Sequence, residues 1–225
     1  MMALNPLEIP IYYINLDDQP ERNAFITKRL SDHGFPKENI TRISGIRKPG
    51  IPQDSVFIGC FHSQLKALKE GLSHGVPFMI LEDDASITTV PDILDIPEKA
   101  DALYVGISSW AFTPGAPGNL AMHGRLITDR VNDKIVRVFN MLSSHAILYV
   151  NMEYVKSLIE VLEKNLSGNP IVAESVGTEL SYYNGIQLPV DVIMANQQYK
   201  GNVYALRDPI FYQDDVNKYA TLIKL

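Results

Sequence analysis

Pro77-Phe78-Met79-Ile80-Leu81-Glu82-Asp83-Asp84-Ala85 is an apolar run that ends in three consecutive carboxylates. Four successive apolar residues, Phe78 to Leu81, predict a short strand buried on both faces, as in the middle of a parallel sheet. The acids fall at its exit. In open α/β sheets the ligand crevice lies beyond the carboxyl ends of the strands, so a metal or phosphate site is expected there. Three adjacent acids repel one another, which a chain tolerates most easily when water or a cation screens them. The triplet alone is open to two readings, a solvated acidic turn or a cation site.

Upstream, Gly59-Cys60-Phe61-His62-Ser63-Gln64 opens a predicted helix with Phe61, Leu65, Leu68 and Leu72 at i, i+4, i+7 and i+11, ended by Gly75. Residues 11–16 read as a strand, and Asp17-Asp18-Gln19-Pro20 as the start of a helix that Gly34 and Pro36 stop. Residues 40–44 predict another strand, and 48–53, with Pro49, Gly50 and Pro52, a loop. Downstream, 91–98 reads as a short helix or loop, 102–106 as a buried strand, and 108–124 as a long loop carrying Trp110, Phe112 and Met122. Residues 127–140 predict a hairpin turning at Val131-Asn132-Asp133-Lys134, followed by a strand over 146–150. Asn151 then caps an amphipathic helix with Val155, Leu158, Ile159, Leu162 and Leu166 on one face. This order predicts an α/β fold, a mixed sheet flanked by helices, in a single domain covering 1–225.

Composition narrows the function. With 46% hydrophobic and 20% charged residues the chain is an ordinary globular protein, and its net charge of −6 argues against unspecific binding to nucleic acid or an anionic membrane. Cys60 is the single cysteine, so no internal disulfide and no cysteine metal knuckle can form. The start of the chain lacks the pattern of a signal peptide and no run reaches the length of a membrane span, so a cytoplasmic protein is expected. The sequons at Asn39 and Asn165 are then accidental. There is no Walker-type phosphate loop, no Gly-x-Gly-x-x-Gly, no His-Glu-x-x-His and no Gly-x-Ser-x-Gly, which removes the commonest NTPase, dehydrogenase, zinc-protease and esterase readings.

Three blocks, in order and spacing, resemble glycosyltransferase family 25, the lipooligosaccharide and collagen galactosyltransferase group: Ile14-Asn15-Leu16 with Arg22, Gly59-Cys60 with Ser63, and Ile80-Leu81-Glu82-Asp83-Asp84. Pro189-Val190-Asp191 resembles a later block, and Pro209 with Gln213 the closing one. The chain departs from the pattern at Ser63-Gln64, where the family has Ser-His, and a histidine stands instead at His62.

The resemblance implies a GT-A-like fold and a metal-dependent transfer of a hexose, galactose among the candidates, from a UDP-sugar to a hydroxyl acceptor such as a saccharide. A diphosphate leaving group is stabilised by a hard divalent cation, Mn²⁺ or Mg²⁺, held by carboxylates. In an extended segment alternate residues point the same way, so Glu82 and Asp84 are expected at the metal, with Asp83 turned toward the donor ribose or the turn. Asn15, Leu16, Arg22, Ser63 and Gln64 are the expected donor contacts; for Arg22 the alternative is an exposed helix arginine, and for Ser63 and Gln64 ordinary helix capping. His145 is a candidate third ligand, or a packed histidine.

An inverting transfer needs a base for the acceptor hydroxyl; Asp191 is the first candidate and Glu174 or Glu179 the reserve, while Asp191 before an apolar run also suits a helix N-cap. Two rival readings keep the fold: a nucleotide-sugar or carbohydrate-binding module without turnover, motivated by Gln64, and a transferase acting on a hydroxylated DNA base or a protein side chain.

Overall fold

The computed structural model describes residues 1–47, 54–108, 110–112, 125–166, 171–173, 178–180 and 189–213. In chain order its strands and helices begin with β1 (Met2–Leu4), β2 (Ile11–Asn15), α1 (Pro20–Asp32), β3 (Ile40–Ser44), α2 (Asp54–His74), β4 (Phe78–Glu82) and β5 (Ala85–Ile87). Then follow β6 (Leu94–Ile96), β7 (Ala102–Tyr104), β8 (Thr128–Arg130), β9 (Ile135–Val138), β10 (Ala146–Tyr149) and α3 (Met152–Leu166). Last come β11 (Ile171–Ala173), β12 (Thr178–Leu180), α4 (Val190–Gln197), β13 (Val203–Leu206) and β14 (Phe211–Gln213).

Eight strands form one sheet in the order β3-β2-β4-β10-β7-β13-β9-β8. Strand β4 is parallel to β2, with Ile14 opposite Glu82, and antiparallel to β10, with Leu81 opposite Ala146. The expected parallel surroundings of β4 hold on one side only, and the sheet is mixed. The continuous apolar run is explained by burial on both faces. Phe78 and Ile80 enter the cluster that contains Phe61, Leu65 and Leu68 of α2, Val155 and Leu158 of α3, and Ile193 of α4. Met79 and Leu81 enter the opposite cluster, with Ile26 and Leu30 of α1. All four are fully buried, and truncating Ile80 or Leu81 to alanine is expected to cost about 2–5 kcal/mol.

Helix α1 starts at Pro20, where proline loses no helical hydrogen bond, and carries Glu21 in its first turn. Helix α3 buries Val155, Leu158, Ile159 and Leu162, the i, i+3, i+4, i+7 stripe read from the sequence. The hairpin at 127–140 is present as β8–β9, pairing Thr128 with Val138.

Two expectations are corrected. Helix α2 begins at Asp54 rather than Gly59; this position inside the helix is a glycine because a Cβ there would lie 2.4 Å from the carbonyl oxygen of Ile46. The stretch 91–98 holds a strand, β6, which pairs antiparallel with β1. Its Leu94 and Ile96 are buried while Asp95 between them is exposed, a period-two pattern too short to separate from a loop in sequence. The predicted loop at 48–53 and most of that at 108–124 lie outside the described residues. No helix among the described residues is long and apolar enough to cross a membrane.

Candidate functional site

The parallel strands β3, β2 and β4 end on the same edge, and the chain leaving each one lines a single pocket of about 330 Å³. Gly45, Ile46 and Arg47 follow β3; Asn15 and Leu16 end β2; Glu82, Asp83 and Asp84 end β4. Gly59, Cys60, Ser63 and Gln64 of α2 and Arg22 of α1 complete the wall. Its size and its place beyond the strand ends suit a small-molecule ligand.

The acids do not continue the strand. β4 ends at Glu82, and Asp83 and Asp84 form a turn, so the alternation expected of an extended segment does not apply to them. Arg22 Nη2 lies 3.1 Å from Asp83 Oδ1 and 3.2 Å from Asp84 Oδ2, holding both with one guanidinium. Asp83 also accepts a 2.7 Å hydrogen bond from Asn15 Nδ2, and Asp84 Oδ2 a 3.0 Å bond from Gln213 Nε2. Asp84 Oδ1 is buried and no hydrogen-bond partner reaches it among the described residues. Burial raises the Asp83 carboxyl above the usual range, against the pull of Asn15 and Arg22.

Glu82 stands apart from this pair. Its Oε1 accepts from Ser144 Oγ at 2.7 Å and from Gln64 Nε2 at 3.0 Å. Burial, and then the charge of Asp84, push its carboxyl up to about 7. Asp83 and Asp84 thus share Arg22, while Glu82 is held by two neutral donors.

Asn15 is buried and holds the strand ends together. Its Oδ1 accepts from Arg42 Nε at 3.0 Å, and its amide also donates to the Gln19 carbonyl at 3.1 Å. Ser63 ties α2 to the chain after β3, accepting from Ile46 N–H at 2.8 Å and donating to the Gly59 carbonyl at 2.7 Å. The block Gly59-Cys60-x-x-Ser63 thereby has a structural cause: the glycine admits the Ile46 carbonyl and the serine binds the Ile46 amide. Leu16 is an apolar part of the wall. Cys60 is exposed in the pocket wall, where partial desolvation and then the charges of the nearby acids, Glu82 first, push its thiol up to about 11.

His145 is buried, bonded through Nδ1 to Ser143 Oγ at 3.0 Å, with Nε2 packed where a side chain on Gly106 would stand. Burial lowers it to about 4, against the charge of Asp84. It is not part of the pocket wall. Asp191 lies in the first turn of α4, where its Oδ1 accepts from Val192 N–H at 2.9 Å; Pro189, not Asp191, is the N-cap. Burial raises the Asp191 carboxyl, and its charge is felt at Glu82 and Cys60. Glu174 lies outside the described residues, as does the side chain of Glu179. Ser144 and Arg47 are site residues that sequence reading missed. The position of Arg47 three residues beyond β3, at the same edge as the acids, is a signal that could have found it.

Among the described residues no three His, Cys, Asp or Glu side chains form a ready-made ligand set. The donor chemistry still fits a hard cation completed by its substrate, because Mg²⁺-type sites use one or two carboxylates plus phosphate oxygens. Glu82 and Asp84 carry oxygens of that kind, while His145 is packed in the interior outside the pocket wall.

No family model matches the sequence, and no curated protein matches it. Among solved structures, a CTP:phosphocholine cytidylyltransferase from Streptococcus pneumoniae is similar over 88% of each chain at 9% identity, with a TM-score of 0.44. A glycosyltransferase involved in the glycosylation of the major capsid of PBCV-1 is similar over 88% of this chain and 92% of its own, at 10% identity and a TM-score of 0.34. Neither likeness is close enough to carry an argument about this chain's activity.

Proposed function

We propose that the chain is a glycosyltransferase that moves a hexose from a UDP-sugar to a hydroxyl acceptor, a saccharide in the simplest case, with inversion at the anomeric carbon. The observation that carries this reading is the convergence of three parallel strand ends, three acids and two arginines on one pocket. The three leading blocks that resemble family 25 each contribute to that wall, while Pro189-Val190-Asp191 and Pro209 with Gln213 are not part of it, and the convergence of the three supports the reading independently of any one residue.

In this reading the uracil and ribose lie against Leu16 and the Gly45–Ile46 backbone, and the diphosphate approaches Arg22 and Arg47. Arginine suits that task because its planar fork of donors binds phosphate oxygens in pairs. Glu82 and Asp84 would hold Mn²⁺ or Mg²⁺, which when bound neutralises the charge developing on the departing diphosphate. The acceptor oxygen forms its bond to the anomeric carbon as the bond from that carbon to the diphosphate oxygen breaks. Asp191 takes the hydroxyl proton and UDP carries away the bonding electrons.

Calorimetry with UDP and CDP, each with and without Mn²⁺, tests the donor assignment. The expected result is UDP binding strengthened by Mn²⁺ and weakened in Glu82→Ala and Asp84→Ala. Equal binding of both nucleotides, unaffected by either substitution, overturns it. A second reading, nucleotide binding without turnover, is favoured by the bridge from Arg22 to Asp83 and Asp84, which already compensates two of the acids. UDP binding with no sugar transfer to any of a panel of acceptors would select it.

A further inference from the structure

Gln64 and Ser144 come from distant parts of the chain and meet at one atom, Glu82 Oε1. Each Gln64 amide hydrogen has an acceptor, since Nε2 also donates to the Ser144 carbonyl at 3.2 Å. A carbonyl only accepts, so the nitrogen must face Ser144 and Glu82. Among the described residues the Gln64 oxygen is buried without a partner, a cost that an apolar residue at this position would not carry. Among the described residues no donor reaches the second oxygen of Glu82, whose side chain is in the pocket wall. The two bonds thus fix the carboxylate by one oxygen and leave the other for a ligand.

We propose that Gln64 and Ser144 are positioning residues: they hold Oε1 of Glu82 so that its other oxygen is presented to the cation that accompanies the donor's diphosphate. The proposal rests on the glycosyltransferase reading above and gives Gln64, the departure from the family pattern, a task within it. Ser144 closes the clamp from the segment just before β10, so the acid ending β4 is aligned from both sides.

The test is Mn²⁺ binding in the presence of UDP, followed by the electron paramagnetic resonance of free Mn²⁺. Gln64→Leu and Ser144→Ala are each expected to weaken Mn²⁺ binding about 10- to 100-fold, the usual effect of removing a group that orients a metal ligand. UDP affinity without metal should hold in Ser144→Ala, since Ser144 is not part of the pocket wall. Gln64→His offers one N–H at similar reach and should recover binding to within about threefold of the native chain. Ser144→Ala removes a single hydroxyl and guards against a Gln64 variant that fails to fold.

Native Mn²⁺ affinity in both Gln64→Leu and Ser144→Ala overturns the proposal. The clamp is also read without nucleotide, from the side-chain amide resonances of Gln64. They should move when Glu82 is replaced by alanine, and unchanged resonances overturn the clamp. If the native chain binds neither UDP nor Mn²⁺ with UDP, the glycosyltransferase reading fails, while the amide resonances still decide whether Gln64 grips Glu82.

Discussion

The side-chain amide of Asn15 donates to Oδ2 of Asp83 over 2.7 Å, tying the end of β2 to the turn that follows β4. Arg42 holds the same asparagine from β3, so one residue joins three strand ends at the pocket edge. Asn15→Leu leaves a buried carboxylate short of a donor and the Arg42 guanidinium short of an acceptor. The expected loss is about 1–3 kcal/mol of stability, measured by urea unfolding. An unchanged midpoint would show that the strand ends hold without it.

Arg22 is half-exposed, yet its guanidinium is fixed between Asp83 and Asp84. Arg22→Ala should weaken UDP binding roughly tenfold, since one charge-assisted bond to phosphate is removed. Calorimetry in the absence of metal reads this directly. Unaltered affinity would confine Arg22 to neutralising the acids.

Glu82 makes the stability depend on pH. Its carboxyl lies at about 7 in the folded chain against 4.5 ordinarily, so between these values the folded state holds a proton that the unfolded state has lost. Stability therefore falls as pH rises through this window, with a slope of at most about 1.4 kcal/mol per pH unit from this group. Glu82→Gln should flatten that slope, so thermal unfolding at pH 5 and pH 8 should differ less in the variant than in the native chain. An identical difference in both would contradict the assignment.

Cys60 is exposed on the pocket wall and reports on its occupancy. With its thiol pushed up to about 11, alkylation should be slow near neutral pH and rise roughly tenfold per pH unit up to that point, because the thiolate is the reactive form. UDP should protect it, since Cys60 lines the same wall. Mass spectrometry of the single cysteine measures both effects, and labelling indifferent to UDP would move the nucleotide elsewhere.

Much of the sheet was legible because burial on both faces writes continuous apolar runs, as in Phe78 to Leu81 and in β2. The stripe of α3 was legible for the same reason at helical period. What could not be read depends on contacts between distant residues. Ser144 earns no attention until β10 brings it to Glu82, and β6 becomes a strand only by pairing with β1. The acid triplet marked the right place, but its internal geometry was misjudged, because the turn after Glu82 sends Asp83 and Asp84 to a shared arginine. Gln213 was singled out by resemblance alone; the pairing of β14 with β5 brings it to Asp84.

In the proposed function Glu82 and Asp84 serve sugar transfer from a UDP-linked donor. This role is tested most directly by UDP release from a panel of UDP-hexoses, UDP-galactose first, with and without Mn²⁺, in the native chain and in Glu82→Ala and Asp84→Ala. The account predicts Mn²⁺-dependent release by the native chain and a loss of about 100-fold or more in each variant, as expected when a group acting in the transition state is removed. Full activity in both variants, or no release from any donor, would contradict it.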